Sequence, residues 1–363
     1  MEITLHPGIT LASLGWDGYF ETRFTTFAAA GYAPGRVAAQ HKGAYVVLSE
    51  AGRLDATVTG KLRYAASGAA ELPVVGDWVA LAVRAEEGAA TIQGVVERRT
   101  RFSRKVAGFE SDEQVLAANI DVVFLTTSLN ADLNPRRIER YLTMAYESGA
   151  TPVVVLTKAD LCDDVPAALD AVQEVAIGTS VHVVSAVTGE GFDELGTYMA
   201  GHKTVALLGS SGVGKSTLVN ELAGEEILKV QEIRDDDARG RHTTTHREMV
   251  LLPSGGIVVD TPGMRELQLW EASDGLSGSF QDIAELAAGC RFRDCTHGRE
   301  PGCAVRAAVE AGTLPVERLA SYNKLQRELM YLERKRDQRL ASQETRRWKV
   351  QHKAMRRAKS PKV

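Results

Sequence analysis

A chain of 363 residues, 44% hydrophobic and 25% charged, is long enough for two or three packed domains and has the make-up of an ordinary globular protein rather than a disordered or fibrous one. No apolar run is long enough to span a bilayer, and the start MEITLHPGITLASLGW lacks the basic and then apolar stretches of an export signal, so a cytoplasmic location with reduced thiols is expected. The net charge of -4 conceals an asymmetry: residues 331–363 hold twelve Lys or Arg against Glu333, Asp337 and Glu344, a composition that suits either a polyanionic partner or a solvated helical face.

Residues 1–34 have mixed composition and end near Gly31 and Pro34-Gly35, an N-terminal extension to which no structure is assigned. Across 36–106 come the runs RVAAQHKGAYVVLSE, LDATVTGKL, GDWVALAV and ATIQGVVERR, separated by short Gly- and Asp-rich breaks. Many short strands at close spacing predict a small all-β barrel. The pattern then changes. IDVVFLTT, TPVVVLT, VHVVS, KTVALLG and GGIVVD are short Val-rich runs, and between most of them lie the helix-like PRRIERYLTMAYESG, PAALDAVQEVA, FDELGTYMA and GKSTLVNELAG. Such alternation predicts a parallel sheet covered on both faces, with ligands at the carboxyl ends of its strands. After about residue 270 the strand signal stops, and a Cys/His cluster at 290–303 precedes a helical stretch with a basic end.

Each motif that carries chemistry directly follows one of the apolar runs. GSSGVGKST, residues Gly209, Ser210, Ser211, Gly212, Val213, Gly214, Lys215, Ser216 and Thr217, fits G-x-x-x-x-G-K-[ST] between a strand and a helix. Its glycines let backbone N–H groups point at phosphate oxygens, Lys215 brings charge to the β- and γ-phosphates, and the Ser216 hydroxyl suits Mg²⁺. A P-loop alone also serves ATP. TKAD points to guanine, because the Asp160 carboxylate matches the adjacent ring N–H and exocyclic amine of that base, while the stem of Lys158 can lie along the ring. Thr157 stands where GTPases usually carry Asn, which removes a reaching amide. SAVTGEG follows, with Ser185 and Ala186 in the backbone loop that backs the guanine carbonyl in GTPases. DTPG supplies Asp260 for Mg²⁺ through a water and the Gly263 N–H for the γ-phosphate, and the Thr-rich RGRHTTTHRE at 239–248 suits a first switch. The base motifs precede the P-loop, a circular permutation of the ordinary order. The chain after DTPG therefore leads to Cys290, and the second switch is expected to pull on the C-terminal domain.

Cys290, Cys295, His297 and Cys303 have the spacing C-x₄-C-x-H-x₅-C. Three thiolates and one imidazole make a closed tetrahedral set for one structural Zn²⁺ and leave no open position for catalysis. Cys162 stands apart and is expected in the core.

The permuted motifs, GSSGVGKST, GRHTTT, DTPG and CRFRDCTHGREPGC together resemble the RsgA family of ribosome small subunit-dependent GTPases, over roughly residues 36–330. RVAAQHKGAYVV and LPVVGDWV look like that family's OB-fold. The resemblance implies a multidomain chain: an extension over 1–34, an OB-fold RNA-binding barrel over 35–108, a circularly permuted α/β P-loop GTPase domain over 109–270, and a small, mostly helical zinc-binding domain with a basic tail over 271–363. It implies GTP hydrolysis with Mg²⁺ held by Ser216, Thr244 and Asp260 (Thr243 being the second choice for the switch threonine). The partner it implies is the small ribosomal subunit late in maturation, whose rRNA is gripped by the barrel and the zinc domain. Arg98, Arg99, Arg101, Arg104 and Lys105 are the expected phosphate contacts at the barrel's exit. Met264 occupies the position after DxxG where a glutamine orders water in other GTPases, and the resemblance assigns that role to His242. A monomer is expected. A P-loop ATPase or kinase, a non-enzymatic RNA-binding assembly protein, and a permuted GTPase of the large subunit are the competing readings.

Overall fold

The structure is a computed structural model that describes residues 9–41, 43–66, 68–105, 113–130, 133–228, 247–260, 276, 279–298, 300–327 and 330, with backbone alone at 104, 105, 113, 247 and 260. Among these residues no helix is long and apolar enough to cross a membrane.

Five strands close the barrel: β1 (Ala33–Gln40), β2 (Tyr45–Ser49), β3 (Gly52–Val58), β4 (Trp78–Arg84) and β5 (Ala89–Val95). They run in the order β1-β2-β3-β5-β4, and β4 returns to β1 through Ala33↔Leu81 to Arg36↔Trp78. Only β3 and β5 pair in parallel, which is the strand order of an OB-fold. Inward residues alternate along the strands, so Val37, Val47, Leu54, Val79, Leu81 and Ile92 form one core.

The extension folds onto this barrel. Helix α1 (Gly18–Ala29) is capped by Asp17, whose carboxylate accepts the Tyr19 N–H at 3.0 Å. Phe20 and Phe24, four apart on its buried face, pack with Trp16 around Trp78, and the Trp16 and Trp78 ring centres are 4.7 Å apart. Arg36 on β1, only 2% exposed, donates to Leu14 O at 2.5 Å, Gly76 O at 3.2 Å and Asn119 O at 2.9 Å. One buried guanidinium thus ties the extension, the barrel and the start of the next domain; its burial lowers its pKa to about 10.

A small α2 (Gly60–Ala65) lies between β3 and β4, and a hairpin of β6 (Arg101–Lys105) and β7 (Glu113–Ala118) leads out of the barrel. Next come β8 (Val122–Ser128), α3 (Pro135–Ser148), β9 (Thr151–Thr157), α4 (Val165–Gln173), β10 (Ser180–Val183), α5 (Phe192–Thr197), β11 (Thr204–Leu208), α6 (Lys215–Ala223), β12 (Arg247–Leu251) and β13 (Ile257–Asp260). The sheet order is β10-β9-β8-β11-β13-β12, parallel except for β12. Alternate residues of its strands enter two separate cores: Val123, Leu125, Val154 and Leu156 lie with Ile138 and Leu142 of α3, while Phe124, Val153 and Val155 lie with Leu195 of α5 and Leu218 of α6. Strands apolar on both sides therefore read as unbroken Val-rich runs.

Strand β12 was not expected from the sequence. It pairs with β13 on one side and with β1 on the other through Ala39↔Glu248 and Gln40↔Arg247, so the barrel and the parallel sheet share one continuous ladder. Among the described residues the C-terminal part holds α7 (Gln281–Ala287), α8 (Ala304–Glu310) and a helix over 316–327. Arg318, 3% exposed, locks it to the sheet's helical layer: it donates to Glu139 of α3 at 3.1 Å and to both carboxylate oxygens of Asp282 at 2.5 and 2.8 Å. Ser321 adds a hydrogen bond to the same Glu139, which is fully buried.

Candidate nucleotide site and metal centre

The P-loop runs from the end of β11 into α6, whose first residue is Lys215. Gly209 passes so close to the end of β8 that a side chain there would put Cβ 2.3 Å from Thr126 O, which only glycine avoids. Gly214 has φ +93 and gives α6 its N-terminal turn in the left-handed region. Lys215 Nζ donates to Gly209 O at 2.9 Å and Ser210 O at 2.6 Å, which holds the ammonium across the loop at the positive end of the helix.

The base motif meets this loop directly. Thr157, the last residue of β9 and 6% exposed, donates its hydroxyl to Val213 O at 2.6 Å across 56 positions of sequence. Lys158 adopts φ 58 and turns the chain out of the strand, which leaves Asp160 exposed at the surface. Ser185, which follows β10, donates to Asp160 Oδ1 at 2.6 Å, while its oxygen accepts the N–H groups of Val187 and Thr188 at 3.3 Å. Ala159 N–H donates to Val184 O, so the TKAD and SAVT segments are fixed to each other by backbone as well. The backbone of Asp260 ends β13, beside β11 in parallel register through Ala206↔Val259. Thr157, Ser185, Gly209 and Asp260 thus stand at the carboxyl ends of four strands of one sheet, where a doubly covered sheet binds ligands. His242, Thr243, Thr244, Gly263 and Met264 lie outside the described residues, as do 261–275 and the basic tail.

Sequence reasoning missed Arg137. Asn134 caps α3 and Pro135 starts it, which places Arg137 in the first turn, where its guanidinium donates to the Ser210 hydroxyl in the P-loop. The N-cap signal Asn-Pro after the β8 run pointed to a helix start at the ligand edge of the sheet.

Two of the expected phosphate contacts are engaged elsewhere, which corrects that expectation. Arg98 pairs with the fully buried Asp77 at 2.7 Å and donates to Ala70 O and Leu72 O. Arg99 pairs with Asp17 and Asp121 and lies over the ring of Tyr19. Arg98 braces the barrel, and Arg99 ties the extension to the start of the parallel sheet. Arg101 is exposed. The side chains of Arg104 and Lys105 are outside the description.

At the far end of the chain, the ligand atoms of Cys290, Cys295, His297 and Cys303 all lie within 4.8 Å of one another. His297 Nδ1 is 3.7 Å from Cys290 Sγ and 3.5 Å from Cys303 Sγ, and those two sulfurs are 3.9 Å apart. A tetrahedral zinc ion with bonds of about 2.3 Å to sulfur and about 2.0 Å to nitrogen has edges of roughly 3.5–3.8 Å, so the donor set fits Zn²⁺. The sulfur separation is far above the ~2 Å of a disulfide. Burial holds the His297 imidazole below its ordinary pKa, which keeps it neutral and able to ligate. Glu300 fixes the turn around it by accepting from the Thr296 hydroxyl at 2.5 Å, Thr296 N–H at 3.2 Å and Gly298 N–H at 2.8 Å. Cys162, partly buried, packs against the main core and is not one of these four ligands.

A family profile described as RsgA GTPase matches residues 95–270. Over 350 residues, 94% of this chain and 95% of the relative, the chain is 49% identical to the small ribosomal subunit biogenesis GTPase RsgA of Opitutus terrae. It is 52% identical over 297 residues to RsgA 2 of Lactiplantibacillus plantarum, covering 82% of this chain and 83% of that one. A crystal structure of YjeQ from Thermotoga maritima superimposes with a TM-score of 0.63 at 28% identity, over 82% of this chain and 99% of that one. YloQ, described as a circularly permuted GTPase, shares the fold with a TM-score of 0.60 at 24% identity, over 82% of this chain and 95% of that one. The chain belongs to the RsgA GTPase family.

Proposed function

We propose that this protein binds GTP with Mg²⁺ across the carboxyl ends of β9, β10, β11 and β13, hydrolyses it, and acts on the small ribosomal subunit through its rRNA during late maturation. The observation that carries the nucleotide reading is the hydrogen bond from Thr157 to Val213 O, which joins the guanine motif to the P-loop despite the permuted order. Asp160 then reads the guanine edge, with Ser185 holding its other side, and Ala186 backs the base. The N–H groups of 209–217 and the α6 N-terminus cradle the phosphates, and Lys215 exchanges its two loop carbonyls for phosphate oxygens. Ser216, Asp260 and Thr244 are the Mg²⁺ side chains; the ion, when bound, neutralises charge on the β- and γ-phosphates. The Gly263 N–H senses the γ-phosphate, and His242 accepts a hydrogen bond from the attacking water and holds it in line.

The Cys290, Cys295, His297 and Cys303 set holds a structural Zn²⁺ and shapes the C-terminal module as an rRNA contact, with the barrel as the other. The working species is a cytoplasmic monomer. Phosphate release from GTP, measured with and without purified small ribosomal subunits and with excess ATP as competitor, tests the reading. Subunit-stimulated release that excess ATP leaves intact is the expected result. Competition by ATP equal to that by GTP, or stimulation by the large subunit alone, would overturn it.

A further inference from the structure

Four residues, Arg291, Phe292, Arg293 and Asp294, separate the zinc-type ligands Cys290 and Cys295, and all four are exposed. Phe292 keeps 42% of its surface in solvent. The loop is nevertheless fixed. Its ends are metal-ligand positions, Arg291 N–H donates to Gly302 O at 3.0 Å, and Cys295 N–H donates to Phe292 O at 3.3 Å. Gly302 sits at φ +76 with its pro-Cβ position 3.1 Å from Arg291 Cβ, so the two chain segments are in close contact. The aromatic ring is therefore displayed on a rigid backbone.

The cations beside it differ from the arginines that brace the fold. Arg36, Arg98 and Arg318 are engaged by buried carbonyls or carboxylates, Arg99 pairs with Asp17 and Asp121, and Arg306 pairs with Glu310. Among the described residues neither Arg291 nor Arg293 forms an ion pair, and the Arg291 guanidinium lies 5.5 Å from the centre of the Phe292 ring. Two guanidiniums against the single carboxylate of Asp294 leave the loop net positive. An exposed aromatic ring with one guanidinium beside it and a second cation at the next position of the loop matches one polymer above others: single-stranded RNA, which offers an unstacked base and a phosphate on either side of it. An acidic peptide would satisfy the arginines but would give the ring nothing to stack on.

We propose that Arg291, Phe292 and Arg293 form a single-stranded RNA contact, in which Phe292 stacks on one unpaired base and the two guanidiniums take the flanking phosphates. This rests on the rRNA reading above and adds the residues and the mode of contact. The test uses the full, zinc-loaded protein with a labelled ten-nucleotide adenosine RNA, an RNA duplex of the same length, and small ribosomal subunits. Phe292→Ala should weaken the single-stranded complex between about 5- and 150-fold, the range of one lost base stack, and leave the duplex complex nearly unchanged. Phe292→Trp should bind at least as well as wild type. Arg293→Ala should flatten the salt dependence by about 0.7 in the log–log slope. Zinc content and RNA-free GTP hydrolysis should not change, because none of these residues is placed at the metal or the nucleotide.

Phe292→Leu separates stacking from packing, since it keeps apolar bulk without a π-face. If Phe292→Leu retains zinc and binds the oligonucleotide as tightly as wild type, the proposal is overturned. Wild-type protein that binds subunits but not the oligonucleotide also overturns it alone. Wild-type protein that binds neither removes the broader rRNA reading together with it.

Discussion

Removing the hydroxyl of Thr157 tests the permuted site at its seam. Thr157→Val keeps the shape of the side chain and deletes one donor, leaving Val213 O without its 2.6 Å partner at a position where the threonine is 6% exposed. The same hydroxyl lies 3.3 Å from Thr127 O, a longer and weaker contact. A buried acceptor left unpaired costs about 1–3 kcal/mol. Since the lost bond joins the base loop to the phosphate loop, that cost falls on assembling the pocket, and each ~1.4 kcal/mol weakens binding tenfold. The tether touches no phosphate, so GTP and GDP should lose affinity by the same factor, about 5- to 150-fold. Thr157→Asn, whose amide reaches the same carbonyl, should bind as tightly as wild type. Fluorescent analogues of GTP and GDP titrated against the three proteins give the answer. Wild-type affinity in Thr157→Val, or a loss confined to GTP, would refute the reasoning.

Other outcomes follow from the same geometry. Arg318→Met takes the shared cation from Glu139 and Asp282, while Arg136 stays on Glu139 at 2.9 Å, and should lower stability in urea by about 1–3 kcal/mol, the cost of leaving charged hydrogen-bonding groups short of a partner; an unchanged midpoint would show that the C-terminal module does not depend on this lock. The Thr296 hydroxyl, with nearby backbone N–H groups, holds the Glu300 carboxyl down to about 2. Its depressed pKa makes its contribution to the zinc turn full above the ordinary carboxylate range and lost only as pH falls through about 2. Glu300→Ala should therefore release zinc to a chelator roughly 10–100 times more readily near pH 7, as outer-shell changes at metal sites do. His242→Ala should bind GTP normally and lose subunit-stimulated hydrolysis, measured by phosphate release; stimulation at the wild-type rate would remove the histidine from the mechanism.

The parallel sheet was legible because both its faces are buried, which turns each strand into a short Val-rich run. The P-loop and the Cys/His cluster were legible because phosphate and zinc demand fixed residue types at fixed spacing. What escaped depends on partners far along the chain. The start of strand β12 fell inside the Thr-rich stretch 239–248 read as a switch, because Arg247 and Glu248 enter the sheet through backbone pairing with Gln40 and Ala39 of the barrel. Arg98 reads as one of a basic run, yet Asp77, 21 positions earlier, claims it. The extension carried a usable signal, Phe20 and Phe24 on one helical face, but the Trp78 they cover lies more than fifty residues away. Thr157 looked like a loss of reach. In the fold, β9 and the P-loop stand close enough for a hydroxyl to bridge them.

The most direct measurement is nucleotide selectivity at Asp160. Its carboxylate, oriented by Ser185 at 2.6 Å, is paired in this account with the two donors of guanine. Asp160→Asn exchanges one acceptor for a donor and should move preference from GTP to xanthosine triphosphate, which carries a carbonyl where guanine has its amine, while wild type binds GTP and rejects ATP. Equal affinity of wild type for GTP and ATP, or an Asp160→Asn protein with unaltered selectivity, would contradict a guanine site built from the permuted motifs.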